Sequence, residues 1–253
     1  MPFTSFAAPR RLFGRALLGT FALGASMAVA ADEPPDGLER LTINGTEVAV
    51  RDARSTPIEG LYRLRLESGE VVFSDAQGRY MLVGDLYENG PGGLVNLSRQ
   101  AENQERREAL ASLDEDDMVI FRPAGEIKST LTVFTDTSCP YCHKLHAEVP
   151  ELNQRGIAVR YLAFPRAGEN SPGARQLAQV WCSDNRSEAM SAAVRGEELS
   201  ASGSACVAQI ERDYELGKRL GVQGTPAVVF PDGSIVPGYL PVDQLTQLID
   251  ARS

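Results

Sequence analysis

The sequence predicts an α+β chain of two domains, a small β-rich one at the amino end and a larger one built on strand–helix–strand, joined by a helix. Three observations predict it. Residues 61–66, Leu-Tyr-Arg-Leu-Arg-Leu, alternate apolar with charged at the period of a half-buried strand. Residues 98–113 are good helix formers with hardly an apolar stripe, as in a connector. Beyond Met118, apolar runs of strand length alternate with segments of helical period. At 253 residues and 43% hydrophobic, the chain is long enough for two modest cores.

The elements follow in order. Arg10, Arg11 and Arg15 precede an apolar run from Ala16 to Ala25, and Ala28-Val29-Ala30 supplies the small residues at which a secretory leader is cut. Residues 1–30 therefore read as a signal peptide, because the run is short of the roughly 20 residues that span a bilayer. Removing its three arginines, with no acidic residue among the thirty, takes the net charge from −9 to −12. So acidic a chain repels phosphate backbones and anionic lipid, which argues against nucleic acid and membrane surfaces as partners. The small domain is placed at 31–93, with 32–40 as a mobile polar start and strands between about Leu41 and Val83. Val71-Val72-Phe73 and Tyr80-Met81-Leu82-Val83 flank Asp75-Ala76-Gln77-Gly78, which reads as a hairpin. So small a sheet leaves edges open, and pairing with a second copy is one way to cover them. Residues 89–93, Asn-Gly-Pro-Gly-Gly, break regular structure, and the connecting helix occupies 94–115, expected to be solvated.

The larger domain is placed at 116–253. Met118–Phe121 and Leu131–Thr135 read as strands, and the second leads into Cys139-Pro140-Tyr141-Cys142. Pro140 suits the first turn of a helix, where a missing N–H costs nothing, so Cys139 falls at or near the N-cap. Tyr141, Leu145, Val149 and Leu152 recur at helical spacing, and Pro150 should kink that helix. Ile157–Phe164 returns as a strand, 172–220 is mostly helical, 227–236 is a hairpin, and Val242, Leu245, Leu248 and Ile249 mark a closing helix.

Two thiols separated by two residues at a helix start place the leading sulfur where free N–H groups and the dipole favour negative charge. Only a thiolate attacks a disulfide, so Cys139 reads as the nucleophile and Cys142 as the resolving thiol of a redox-active dithiol in a thioredoxin-like domain. Gly224-Thr225-Pro226-Ala227 just before a later strand strengthens the reading. Rival readings are a CxxCH haem-attachment string, metal ligation by Cys139, Cys142, His143 and His146, and a purely structural disulfide. Four ligands within eight residues of one helix surround an ion poorly, and so tight a loop constrains little chain entropy. No cofactor and no metal are expected. His143 and His146 read as solvated or supporting residues. Cys182 and Cys206, with 23 residues between them, suit a structural disulfide, with reactive or intermolecular thiols as the alternative.

At these residues the chain resembles the periplasmic disulfide isomerases of the DsbC/DsbG family, nearest its DsbC branch. The resemblance is carried by Val133-Phe134-Thr135-Asp136, by Cys139-Pro-Tyr-Cys142-His-Lys-Leu-His146 and by Tyr161-Leu-Ala-Phe-Pro165-Arg166. It continues in Trp181-Cys182, in Leu220-Gly-Val-Gln-Gly-Thr-Pro226-Ala-Val-Val229 and in Val236-Pro-Gly-Tyr239. Pro57-Ile-Glu-Gly-Leu-Tyr62, Gly78-Arg-Tyr80 and Val83-Gly-Asp-Leu-Tyr87 resemble the family's small dimerisation domain. The resemblance implies a V-shaped homodimer whose two thioredoxin-like arms face an apolar cleft for misfolded, disulfide-containing exported proteins. It implies a periplasmic location, a cis peptide before Pro226, and a Thr225 backbone that pairs with substrate beside the dithiol. It also implies a membrane reductase of the DsbD type as electron donor. One departure is Pro140, where DsbC members usually carry Gly; Pro-Tyr there is closer to DsbG. Two alternative tasks therefore stay open, a DsbG-like reductase protecting single oxidised cysteines and a non-enzymatic holdase chaperone.

Overall fold

The computed structural model of the chain describes residues 37–252, and the expected leader lies outside the described residues. The amino-terminal part is a five-stranded antiparallel meander in sequence order: β1 (Arg40–Ile43), β2 (Thr46–Ser55), β3 (Tyr62–Leu66), β4 (Val71–Ser74) and β5 (Met81–Leu82). Its core is Leu38, Leu41, Leu64, Leu66 and Val72. Leu38 is only 2% exposed, so the last residues of the segment expected to be a mobile start are anchored here, while 32–36 lie outside the described residues. The turn between β4 and β5 is set by Asp75, whose carboxylate accepts the N–H groups of Arg79 and Tyr80 while Gly78 takes the left-handed conformation.

A hairpin stands where the sequence reading expected a break. Strands β6 (Tyr87–Gly90) and β7 (Gly93–Asn96) pair across a two-residue loop, Pro91-Gly92, with Gly93 at φ 106°. The Gly- and Pro-rich run is thus the turn itself, and β7 occupies residues assigned to the connecting helix. That helix, α1 (Leu97–Ala111), begins at Asn96, whose side chain caps the N–H of Arg99.

Helix α1 is not solvated as its polar composition suggested. Glu105 bonds Arg63 and Arg65 of β3, both at 2.5 Å. Arg106 is 7% exposed and donates to the carbonyls of Leu220 and Gly233 and to Glu102. Leu110 is buried among Phe164, Leu216 and Leu220. The charged side of β3, expected to face water, is therefore covered by α1, and charge pairing replaces the missing apolar stripe. A Cβ on Gly233 would lie 1.8 Å from the Asn103 carbonyl, so helix and loop touch backbone to backbone.

The larger part carries a five-stranded mixed sheet in the order β12-β11-β9-β10-β8. Its members are β8 (Val119–Phe121), β9 (Ser129–Thr135), β10 (Ile157–Ala163), β11 (Ala227–Val229) and β12 (Ile235–Pro237). Only β9 and β10 run parallel, as the crossover through α2 (Pro140–Gln154) requires. Alternation along β9 sends Leu131 and Val133 to one core, with Leu145, Val149 and Leu152 of α2, and Phe134 to the other, with Leu110 and Leu216. Helices α3 (Pro172–Trp181), α4 (Arg186–Val194) and α5 (Val207–Arg219) form the insertion, and α6 (Val242–Asp250) closes the chain. The order strand–helix–strand, helical insertion, hairpin, helix is the thioredoxin-like arrangement expected. Among the described residues no helix is long and apolar enough to cross a membrane.

Candidate active site

Strand β9 ends at Thr135, and the four residues that follow turn the chain into α2. Asp136, almost fully buried, organises that turn. It accepts the Ser138 N–H at 2.9 Å and hydroxyl at 2.7 Å, and the Arg166 N–H at 2.9 Å and Nε at 3.2 Å. Burial opposes ionisation of this carboxyl, but the hydrogen bonds from Arg166 and Ser138 outweigh it and hold it below the usual range. The residue before the dithiol is thereby tied to the chain leaving β10.

Cys139 is the N-cap of α2 with extended backbone, φ −93° and ψ 118°, and Pro140 fills the first helical position. Cys142 lies one turn in, buried, and both are free thiols. From the far side comes the loop before β11, with a cis peptide between Thr225 and Pro226. The Cys139 thiol donates to the Thr225 carbonyl at 3.2 Å. Burial works against ionisation of Cys139, yet hydrogen bonding by Thr225 and by the N–H groups of Cys142 and Tyr141 prevails, so its pKa lies below the ordinary thiol value. The Thr225 hydroxyl is buried without a hydrogen-bond partner beside the two thiols, and it lowers the pKa of both. Cys142 moves the other way: burial first, then the neighbouring Cys139 charge, pushes its thiol up to about 11. A pair of like groups driven apart in this way separates an attacking thiolate from a waiting thiol.

The structure brings Cys139, Cys142, Thr225 and Pro226 to one place and sets Cys182 and Cys206 apart. These two form a disulfide with Cα atoms 5.6 Å apart, joining the end of α3 to the start of α5 around α4. Tyr141 departs from the expected buried stripe: it is 58% exposed beside the dithiol, and Cys142 takes its place above Leu145. Helix α2 runs unbroken through Pro150. His143 and His146 are both engaged. His143 Nε2 meets the Thr137 carbonyl at 2.6 Å. His146 packs edge-on to Phe121 and bridges the Tyr161 and Ser191 hydroxyls. Burial, with the charges of His143 and Arg195, pulls His146 down to about 4, so it is neutral at pH 7. Among the described residues, no group of three His, Cys, Asp or Glu side chains is placed to hold a metal ion.

With this geometry in hand, comparison with known proteins is informative. Residues 28–99 match the family described as disulfide bond isomerase protein N-terminal domain, and residues 115–253 match a thioredoxin-like domain family. The thiol:disulfide interchange protein DsbC of Dickeya dadantii (strain 3937) is 41% identical over 175 residues, 69% of this chain and 70% of that protein. The chain belongs to the DsbC family. The Escherichia coli (strain K12) DsbC is 35% identical over 173 residues, 68% of this chain and 70% of that protein. A solved disulfide interchange protein from Neisseria gonorrhoeae aligns at TM-score 0.46 and 26% identity, covering 55% of this chain and 97% of that one.

Within this DsbC-family site, sequence reasoning missed Asp136 and Arg166. Both stood in the motifs that carried the resemblance, but neither residue type has a role until the fold closes the loop between β9 and α2 against the end of β10. The burial of Cys139 was also missed: at 1% exposure its sulfur is covered. No local pattern could have revealed this, because the cover comes from Thr225, 86 residues on.

Proposed function

We propose that this DsbC-family thiol:disulfide isomerase works through a Cys139 mixed disulfide on exported proteins with non-native disulfides. One observation carries the assignment of roles. Cys139 sits at a helix N-cap against the Thr225 carbonyl with its pKa lowered, while Cys142, three residues on, has its own raised.

The Cys139 thiolate attacks one sulfur of a substrate disulfide, forming the mixed disulfide and releasing the other sulfur as a thiolate. A second substrate thiolate then attacks the substrate sulfur of that bond, which makes a new substrate disulfide and returns Cys139 as thiolate. No net electrons pass. If the substrate stalls, Cys142 loses its proton and attacks Cys139, giving a Cys139–Cys142 disulfide and a substrate reduced by two electrons. A dithiol donor, in this reading a membrane reductase of the DsbD type, then returns the two electrons. The Thr225 carbonyl must release the Cys139 thiol for attack, and an extended substrate segment can pair with the backbone beside Pro226 in its place.

The same reading places the chain in the periplasm after removal of residues 1–30, and makes the domain at 31–93 a dimerisation module on the α1 connector. Support for pairing comes from β5, a two-residue edge strand whose surroundings expose Tyr80, Leu82 and Val83, the last at 83%. The test of function is recovery of a scrambled, multiply bridged substrate. Loss in Cys139→Ala with mixed disulfides trapped in Cys142→Ala is expected; retention of activity in Cys139→Ala overturns the roles.

A further inference from the structure

At the end of the larger sheet remote from the dithiol lies a cavity of about 520 Å³ between the start of β9 and the carboxy-terminal ends of α1 and α6. Six steps of β9 separate Ser129 at its wall from Thr135, about 20 Å along the strand, before the turn into Cys139 begins. It is thus separate from the redox site.

Its lining combines two chemistries. Arg107, Lys128, Arg160 and Arg252 face it, against the carboxylates of Glu115 and Asp232. Both carboxylates are already engaged, Glu115 by Arg122 and Asp232 by Arg252. Arg107 is bonded to the Gln104 amide and Arg160 to the Thr132 hydroxyl at 2.6 Å. Neither they nor Lys128 form an ion pair among the described residues. A surplus of cations thus gathers here in a chain of net charge −9. The remaining wall is mixed: apolar side chains from Leu110, Phe230 and Ile249, with half-exposed Ile127 at the rim, are joined by the hydroxyls of Ser129, Thr130 and Thr132 along β9.

Arg160 is the informative member. It projects from β10 on the same face as Leu162, inside the sheet rather than at a loop tip, where a guanidinium is costly without a counter-charge. Burial lowers its pKa, opposed by the charge of Glu115 in the same cavity, which is already paired with Arg122. A cationic floor with partly apolar walls and a few hydroxyl donors recognises an anion that carries an apolar body.

We propose that this cavity binds a carboxylate borne on an apolar group. A peptide carboxy-terminus ending in large apolar residues and a fatty acid share that chemistry, and the test separates them. Isothermal titration of the purified chain uses N-acetyl-Leu-Phe with a free carboxylate, the same dipeptide as its terminal amide, decanoate, and inorganic phosphate. Saturable 1:1 binding of the dipeptide acid or of decanoate is expected, and whichever binds names the source. The dipeptide amide and phosphate should bind at least about tenfold more weakly. Arg160→Gln and the surface variants Arg107→Gln and Lys128→Gln should each weaken the acid, Arg160→Gln by about tenfold, with the Cys139 alkylation rate unchanged. The proposal is overturned if neither acid saturates, if amide or phosphate binds as tightly as acid, or if all three variants bind like the parent chain.

Discussion

The chain carries two cysteine pairs, and the fold gives them opposite environments. Cys139 and Cys142 share one helix, and the first of them caps its amino end, where N–H groups are free to meet a sulfur anion. Cys182 and Cys206 belong to different helices, the first closing α3 and the second opening α5, and their disulfide spans the whole of α4. A pair within one turn can open and close with little change in the chain around it, and it constrains little. A pair across 24 residues restricts the unfolded chain, even though Cys206, like Cys139, is the N-cap of its helix. Since each pair has a member at a helix N-cap, the place of the second thiol makes the contrast: one turn away in the same helix for Cys139, and across the whole of α4 for Cys206.

The largest effect that could break this contrast is loss of the leading thiol. Cys139→Ala should lower the rate of disulfide reshuffling by about a thousandfold or more, since Cys142, the other thiol of the site, is buried with its pKa pushed up to about 11. Cys142→Ala should keep the attack and accumulate enzyme–substrate adducts, visible on non-reducing gels. Next in size is removal of the staple. A Cys182→Ala, Cys206→Ala double variant should lose about 3 kcal/mol of stability in urea unfolding. Its Cys139 alkylation rate at 25 °C should stay within about twofold of the parent, because the two pairs share no contacts and act independently. A large fall in that rate would show that the two pairs are coupled, and the contrast drawn above would fail.

How much of this was legible beforehand depends on the range of the interaction concerned. The N-cap position of Cys139 follows from Pro140 alone, and the buried stripe of α2 from Leu145, Val149 and Leu152. These are contacts within one or two turns, where sequence spacing is spatial distance. Helix α1 was misread because periodicity counts apolar side chains, whereas Glu105 and Arg106 dock through charge, with partners 40 to 127 residues away. Tyr141 was misread for a related reason. It fits the helical period, but the first turn of α2 emerges at the surface, and only the fold places that turn there. The site shows the same division: the dithiol is local, while Thr225, Asp136 and Arg166 are joined to it by closure of the loops.

The pH dependence of alkylation sharpens the comparison at finer scale. Because the Cys139 pKa is depressed in the folded state, the thiolate contributes stability that is fully present above the unfolded thiol pKa and is lost as pH falls through the folded value. Alkylation at Cys139 should therefore fall with acidification along a curve whose midpoint lies below that of an ordinary thiol. Cys142, held at about 11, should stay almost unlabelled at neutral pH. In urea-unfolded protein the two curves should merge.

The smallest effect is the most discriminating, because it isolates one donor. Ionisation of Cys139 removes the proton it gives the Thr225 carbonyl, so the anion depends on groups that donate to it. The N–H groups of Tyr141 and Cys142 come with the helix and survive any side-chain change. The Thr225 hydroxyl and the Cys142 thiol are the contributions that mutation can remove, and the hydroxyl, buried and facing both thiols, can be removed while the dithiol is kept. Thr225→Ala should raise the midpoint of the alkylation curve and slow the reaction at pH 7 by about three- to tenfold, the range for a hydrogen bond to a charged group shared among several donors. Thr225→Ser keeps the hydroxyl and should restore most of the rate. If the alanine and serine variants titrate alike, the thiolate is held by the helix end and the Cys142 thiol, and the loop before β11 contributes only cover.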